Sequence, residues 1–164
     1  MDIQLNKKIM QRIIFFIIII FFVSCNNFVD KLNSGLQKEC GKLPVNDSCI
    51  VNLNKILGFD WDIMYTFPCY SNEDSISKVI GLRYNGSEVK ENETLYIFVK
   101  NNEVVYQATS KYFNDNVLFE FGFPSWPKQV NKFTTTAFRV YILSRDQKNK
   151  KSFYRLYPYY GKAH

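Results

Sequence analysis

The chain has 164 residues, with 21 basic and 15 acidic side chains and a formal net charge of +6 at pH 7. This length suits one domain with a substantial core, and the positive charge is too small to indicate a nucleic-acid partner. The sequence has one histidine, His164, and it is the last residue. Catalysis by a Ser-His-Asp or Cys-His arrangement is therefore disfavoured, because a chain terminus seldom folds back into a site.

The N-terminal segment has the layout of an export signal. Lys7, Lys8 and Arg12 precede an unbroken run of eleven apolar residues, 13–23. A membrane-spanning helix needs about 20 apolar residues, so this run is too short for a clean span. Its length and its cationic flank match the apolar region of a secretory signal peptide. An uncleaved signal anchor is the alternative.

The end of the apolar run, Phe22-Val23-Ser24-Cys25, resembles the lipobox of bacterial lipoproteins. The resemblance covers residues 7–25 and departs from the pattern at Phe22, where leucine is usual. It implies cleavage after residue 24, acylation of Cys25 (by palmitate and similar chains), and attachment to a membrane of the cell envelope. Two or three acyl chains on one cysteine should anchor a protein stably, because a single chain binds only marginally. Asn26 replaces the aspartate that signals inner-membrane retention, which favours the outer membrane or cell surface.

Cleavage would leave 140 residues. We expect residues 25–58 to form a lipid-anchored tether and lead-in, and residues 59–164 to form the folded domain. Phe28, Leu32 and Leu36 recur every four residues, which indicates a short amphipathic helix in the lead-in. Gly35 lowers the helix propensity of this segment, so disorder is the alternative.

Three cysteines remain besides the lipobox cysteine: Cys40, Cys49 and Cys69. Close cysteines in an oxidising envelope are expected to form a disulfide. Cys40 and Cys49 enclose a short loop in which Gly41 and Pro44 allow the chain to reverse. The sequence therefore favours a Cys40–Cys49 disulfide with Cys69 left over, although the two other pairings stay open. A zinc site is disfavoured because no histidine lies near these cysteines.

The pattern from Phe59 onward predicts an α+β domain with a mainly antiparallel sheet and one helix packed on one face. Residues 61–67 alternate as a strand with one buried face. Residues 73–80 form a helix that Ser71 or Asn72 caps and that ends at Gly81. Further strands are predicted at 82–84, 94–100, 103–109, 117–121, 133–143 and 153–157. The pair Asn101-Asn102 is a favourable hairpin turn, and 122–129 is a proline-containing loop.

The segment from Trp61 to Tyr70 is similar to a motif of small uncharacterised bacterial lipoproteins. In that family a WD-x-x-Y-x-F-x-P-Y segment precedes an acidic helix. The matching residues are Trp61, Asp62, Tyr65, Phe67 and Tyr70. The chain departs from the motif because Cys69 stands at the proline position and Pro68 lies one residue earlier. The resemblance implies an envelope lipoprotein of unassigned activity and indicates no mechanism.

Four carboxylates are the remaining candidates for chemistry. Asp60 and Asp62 lie two apart on a strand, and Glu73 and Asp74 begin the next helix. Convergence of the two pairs would create an acid/base pair or a calcium-like oxygen cluster. A simpler interpretation is that Glu73 and Asp74 complement the helix dipole while the two aspartates are solvated. We therefore predict no catalytic residue, no metal site and no cofactor.

Aromatic side chains outside the strand alternation are candidate ligand-binding residues. These are Trp126 in its loop, and Tyr157, Tyr159 and Tyr160 around Pro158. Core packing explains most aromatic residues in a β-rich domain. We interpret the chain as a non-enzymatic, lipid-anchored module that binds another envelope protein or an incoming protein. The alternative is capture of a sugar or a peptide on an aromatic patch, and a carboxylate-based hydrolase is disfavoured.

Overall fold

The computed structural model describes residues 28–111, 117–119, 130–146 and 151–161. These residues contain three helices: α1 (Phe28–Cys40), α2 (Leu53–Leu57) and α3 (Glu73–Ile80). They also contain eight strands: β1 (Ser48–Asn52), β2 (Ile63–Phe67), β3 (Glu93–Lys100), β4 (Glu103–Lys111), β5 (Val117–Phe119), β6 (Asn131–Phe133), β7 (Ala137–Asp146) and β8 (Lys151–Pro158). No helix in these ranges is long and apolar enough to cross a membrane.

The strands form two four-stranded sheets. Sheet I has the order β1-β7-β8-β5, and sheet II has the order β4-β3-β2-β6. Neighbouring strands are antiparallel, except that β5 runs parallel to β8. The α+β class and the mainly antiparallel pairing predicted from the sequence are confirmed. The described part differs from the single sheet expected, because its strands divide into two sheets. Residues 28–57, expected to precede the folded domain, supply two helices and one strand.

Two hydrophobic clusters lie on opposite faces of sheet II. The inter-sheet cluster fills the space between the two sheets and consists of Phe28, Leu32, Leu36, Cys40, Val51, Leu53, Leu57, Trp61, Met64, Tyr96, Phe98, Phe133, Phe138, Val140, Ile142, Tyr154 and Leu156. The α3 cluster lies beneath α3 and consists of Tyr65, Phe67, Ile76, Ile80, Tyr84, Val89, Leu95, Ile97 and Val99. Successive side chains of a strand point to opposite faces, so β3 supplies both clusters in turn.

The burial of β2 differs from the sequence prediction. Its alternation predicted one buried face, but Met64, Tyr65, Thr66 and Phe67 are all buried. The prediction was wrong because β2 is an inner strand of sheet II, covered by sheet I on one side and by α3 on the other. Met64 and Thr66 therefore lie in the protein interior despite interrupting the aromatic pattern.

The segment expected to be a lead-in contributes to the core. Helix α1 buries Phe28, Leu32, Leu36 and Cys40 on one face, so the predicted amphipathic helix is confirmed. Gly35 has a packing role, because a Cβ atom at this position would overlap the side chain of Ile56 on α2. The absence of a side chain lets the two helices approach closely, which offsets the low helix propensity of glycine.

A disulfide joins Cys40 and Cys49, whose Cα atoms are 6.0 Å apart, and this pairing confirms the sequence prediction. Cys69 is a free, half-buried thiol. Arg145 donates hydrogen bonds to the carbonyl oxygens of Gly41 and Leu43. This arginine therefore secures the disulfide loop to β7.

Several local predictions can be compared directly with the structure. Helix α3 begins after Asn72, whose side chain accepts a hydrogen bond from the Ser75 amide at 2.9 Å, and it ends at Gly81 with φ 71°. The β3–β4 hairpin turns at Asn101 and Asn102, both with positive φ, as a type I′ turn requires. The cap, the stop and the hairpin are therefore as predicted.

Two strands predicted from the sequence differ from those in the structure. Residues 82–84 form no strand; instead the Tyr84 amide donates to Ser77 Oγ at 2.9 Å and the Tyr84 ring packs in the α3 cluster. The predicted strand 133–143 is divided at residues 134–136 into β6, which pairs with β2, and β7, which pairs with β8. The chain passes from sheet II to sheet I at this point, and apolar alternation alone does not reveal such a crossing.

Candidate binding groove on the outer face of sheet I

Sheet I has one face turned away from the inter-sheet cluster. On β7, Phe138, Val140 and Ile142 point inward, so Arg139 and Tyr141 point outward. The described helices pack elsewhere, since α1 and α2 join the inter-sheet cluster and α3 covers sheet II. Within the described residues, the outer face of sheet I is therefore open to solvent.

A groove of about 360 Å³ lies on this outer face. The described residues that line it are Asn46, Arg139, Tyr141, Ile142, Leu143, Arg155, Tyr157, Pro158 and Tyr159. Two arginines and three tyrosines supply most of its chemical character. The lining contains no aspartate or glutamate among these residues, so its formal charge is positive.

Arginine and tyrosine alternate across β7 and β8. Arg139 lies opposite Tyr157, and Tyr141 lies opposite Arg155. The rings of Tyr141 and Tyr157 meet edge to face, with centroids 5.6 Å apart and an interplanar angle of 89°. This is a favoured aromatic geometry, so the two rings stabilise one another and form a preorganised floor for the groove.

Arg139 is held by a ring rather than by an acid. Its guanidinium carbon lies 5.3 Å from the centroid of Tyr159. Tyr159 is itself fixed, because its amide donates to Ala137 O at 2.9 Å and its carbonyl oxygen accepts from Thr135 Oγ1 at 3.0 Å. No acid or hydrogen-bond acceptor in the described part of the chain pairs with the Arg139 side chain. Its N–H donors are therefore oriented but unused there.

One wall of the groove comes from the disulfide loop. Asn46 adopts a left-handed conformation with φ 70°, which asparagine tolerates better than most residues. Its amide donates to Ile142 O at 2.8 Å, and the Ile142 amide donates to Asp47 O at 3.2 Å. The loop therefore continues the pairing of sheet I and holds Asn46 at the rim.

The structure separates the tyrosines proposed as ligand-binding residues. Tyr157 and Tyr159 line the groove, whereas Tyr160 is 68% exposed and does not. Trp126, the other candidate, lies outside the described residues, as does the proposed lipidation site Cys25. The described lining of the groove therefore comes from β7, β8, the residue after β8 and Asn46 of the disulfide loop.

The four candidate carboxylates occupy separate places. Asp60 accepts a hydrogen bond from Lys100 Nζ at 3.0 Å, and Asp62 accepts one from the Asn101 amide at 3.0 Å. Both aspartates therefore secure the β3–β4 turn, while Glu73 and Asp74 occupy the first turn of α3. Within the described residues, no group of three or more potential ligands is placed to hold a metal ion.

Arg139, Tyr141 and Arg155 are not among the residues that the sequence predicted to bind a ligand. A usable signal was present, because they occupy the outward positions of two alternating strands whose inward positions are apolar. Cations and tyrosines at such positions indicate a binding face more strongly than single aromatic residues in loops and turns. What the alternation alone does not reveal is that these positions become neighbours across the β7–β8 pair.

The chemistry of the groove suits binding. Oriented arginine donors and tyrosine rings can hold an anion beside an apolar group, and Tyr and Arg are enriched at the energetic centres of protein interfaces. Comparison with known proteins adds no assignment, because no family model, curated protein or solved structure matches the chain.

Proposed function

We propose that this protein is a non-enzymatic module, anchored in the cell envelope by lipid on Cys25, that binds another protein through the outer face of sheet I. The observation that carries the proposal is the composition of that face. Tyrosine and arginine are enriched at protein interfaces, whereas lysine, glutamate and aspartate are depleted there. Here the open face presents arginines and tyrosines in a concave groove.

Apolar side chains around the groove support the same function. Ile50 lies opposite Arg139 on the β1 side and is 44% exposed. Phe153 on β8 is 41% exposed. Exposed large apolar residues next to Tyr and Arg indicate an interaction surface more strongly than isolated exposed ones. The partner is proposed to be an envelope protein or an incoming protein.

The proposed anchor would hold the domain close to a membrane. Cys25 precedes the buried residue Phe28 by three positions. Three residues of extended chain span at most about 11 Å. The start of α1 would therefore lie within about 11 Å of the acylated residue.

The interaction is tested by capture of cross-linked partners from native membranes with wild-type protein, an Arg139→Gln/Tyr157→Ala variant and a Lys132→Gln variant. Lys132 is a matched control, because its Nζ lies 5.8 Å from the Tyr65 ring on the other sheet. We expect a specific partner with wild type and Lys132→Gln, and its loss with the groove variant. The partner must then bind the purified lipoprotein with the same dependence. Identical recovery with all three proteins would refute the proposal.

The anchor is tested separately with Cys25→Ala. We expect this variant to leave the membrane fraction or to keep its leader, with the mass of acylated cysteine absent. If the variant stays in the membrane at the mass of the wild-type protein, Cys25 is not the lipidation site.

A second candidate function uses the same groove for a sugar or a peptide. The groove volume of about 360 Å³ favours it, because small-molecule pockets begin at roughly 300 Å³. A panel of envelope sugars and short peptides, assayed by calorimetry with wild type and Tyr157→Ala, tests this function. Binding of a free sugar, with loss in the tyrosine variant, would favour it over a protein partner.

A further inference from the structure

We infer that the groove recognises carboxylate groups, so that the partner presents an extended segment with two acids two residues apart. This inference rests on the proposed function and specifies the chemistry of the partner. Its centre is Arg139, a half-buried arginine on the outward face of β7.

Arg139 contacts an aromatic ring, and this contact leaves its hydrogen-bond donors available for a ligand. The guanidinium carbon lies 5.3 Å from the centroid of the Tyr159 ring, a cation–π contact that uses no N–H donor. A guanidinium offers planar, paired donors that match the two oxygens of a carboxylate. The main chain of Tyr159 is held by two hydrogen bonds, which place its ring beside Arg139 before a ligand binds.

The second arginine gives the recognition a spacing. Arg139 on β7 pairs with Tyr157 on β8, and Arg155 lies two residues before Tyr157 on the same strand. Diagonal neighbours of this kind are about 7–8 Å apart. In an extended peptide, side chains at i and i+2 point to one side about 7 Å apart. Two acids in an acid-x-acid segment therefore match the two arginine positions.

The groove also offers an aromatic surface beside the two arginine positions. Tyr141 and Tyr157 meet edge to face between the two arginine positions and present an aromatic surface. Positive charge with no acid among the described lining residues favours an anionic segment, and the rings favour apolar contact beside it. A neutral segment of the same shape would satisfy the rings but leave the Arg139 donors without an anion.

The test uses the full-length lipoprotein in nanodiscs of phosphatidylcholine and three labelled peptides, followed by fluorescence anisotropy. The peptides are Ac-Gly-Glu-Leu-Glu-Gly-NH2, the same peptide with Gln for Glu, and the same peptide with phosphoserine for Glu. We expect the Glu peptide to bind at least about tenfold more tightly than the Gln peptide, a difference of about 1.4 kcal/mol. The preference should weaken as salt increases, because partly exposed ion pairs are screened.

Variants identify the residue responsible. Arg139→Gln should abolish the preference for Glu over Gln, Arg139→Lys should restore only part of it, and Lys132→Gln should leave it unchanged. Equal binding or no binding of the Glu and Gln peptides overturns the inference, as does tighter binding of the phosphoserine peptide. A captured partner that depends on the groove but shows no carboxylate preference would leave the proposed function standing and refute this inference alone. Carboxylate-selective peptide binding without any captured partner would support this inference and refute the proposed function.

Discussion

Tyr154 donates its phenolic hydrogen to Oε1 of Gln37 at a distance of 2.7 Å, and this bond connects β8 to the C-terminal half of α1. The ring itself is 2% exposed and belongs to the inter-sheet cluster. The helix is therefore attached to sheet I by a hydrogen bond as well as by the disulfide at Cys40. Both attachments involve residues that the sequence placed in a lead-in.

Replacement of Tyr154 by Phe should lower the free energy of unfolding by about 1 kcal/mol. The ring and its packing remain, so the loss comes from the hydrogen bond. Gln37 is exposed and recovers part of that loss by hydrogen bonding to water. Urea denaturation of wild type and Tyr154→Phe measures the change. Tyr160→Phe is the control, because Tyr160 is 68% exposed; an equal loss in both variants would contradict the explanation.

The same tyrosine predicts alkaline sensitivity. Burial raises the pKa of Tyr154 above its ordinary value, although the hydrogen bond with Ser152 and the positive charge of Arg145 oppose this shift. Burial also raises the pKa of Tyr84, and Glu73 adds to that shift. The unfolded chain then loses these protons first, so this stabilisation is complete below about pH 10 and declines as pH rises through the raised pKa values.

Urea unfolding at several pH values between about 8 and 11 measures this decline. Tyr154→Phe should reduce its slope, leaving the contribution of Tyr84, while Tyr160→Phe should leave the slope unchanged. A Tyr154→Phe curve that stays parallel to the wild-type curve over the whole range would show that Tyr154 does not contribute.

Gly35→Ala should destabilise the protein, although alanine is the better helix former by about 1 kcal/mol. The added Cβ would overlap Ile56 on α2, and overpacking of this kind costs about 1–3 kcal/mol. Thermal unfolding measures the balance. Ser34→Ala, at an exposed position of α1, is the control and should be neutral or stabilising. In a double-mutant cycle, Ile56→Ala should reduce the cost of Gly35→Ala; strict additivity would mean that the two residues do not clash.

Removal of the disulfide by Cys40→Ser/Cys49→Ser should lower the free energy of unfolding by about 2–3 kcal/mol, in the chain-entropy account of a loop this short. It should also weaken binding at the groove, because the loop places Asn46 at the rim. Urea midpoints and peptide affinity measure the two effects. Cys69→Ser is the control, since Cys69 is a free thiol. Unchanged affinity in the double variant would show that Asn46 is positioned without the disulfide.

Local signals predicted individual elements well. Asn72 and Gly81 determine where α3 begins and ends because their side-chain and backbone properties act over a few residues. The Asn101-Asn102 turn and the Cys40–Cys49 disulfide are similarly short-range. The α+β class followed from the succession of such elements.

Long-range features were beyond the same reasoning. The division of residues 133–143 between two sheets depends on which strands are available as partners. The burial of Met64 and Thr66 depends on a layer that covers each face of sheet II. The groove depends on the register between β7 and β8, which places Arg139 opposite Tyr157.

By itself, the sequence determined the class of the domain, the limits of α3, the hairpin turn and the disulfide pairing, because each depends on neighbouring residues or on composition. The tertiary structure alone decided that α1 belongs to the core, that sheet II is buried on both faces, and that Arg139 contacts the Tyr159 ring and lies opposite Tyr157. These relationships arise from the packing of layers and the register of paired strands. They become defined only when residues distant in the chain are brought together.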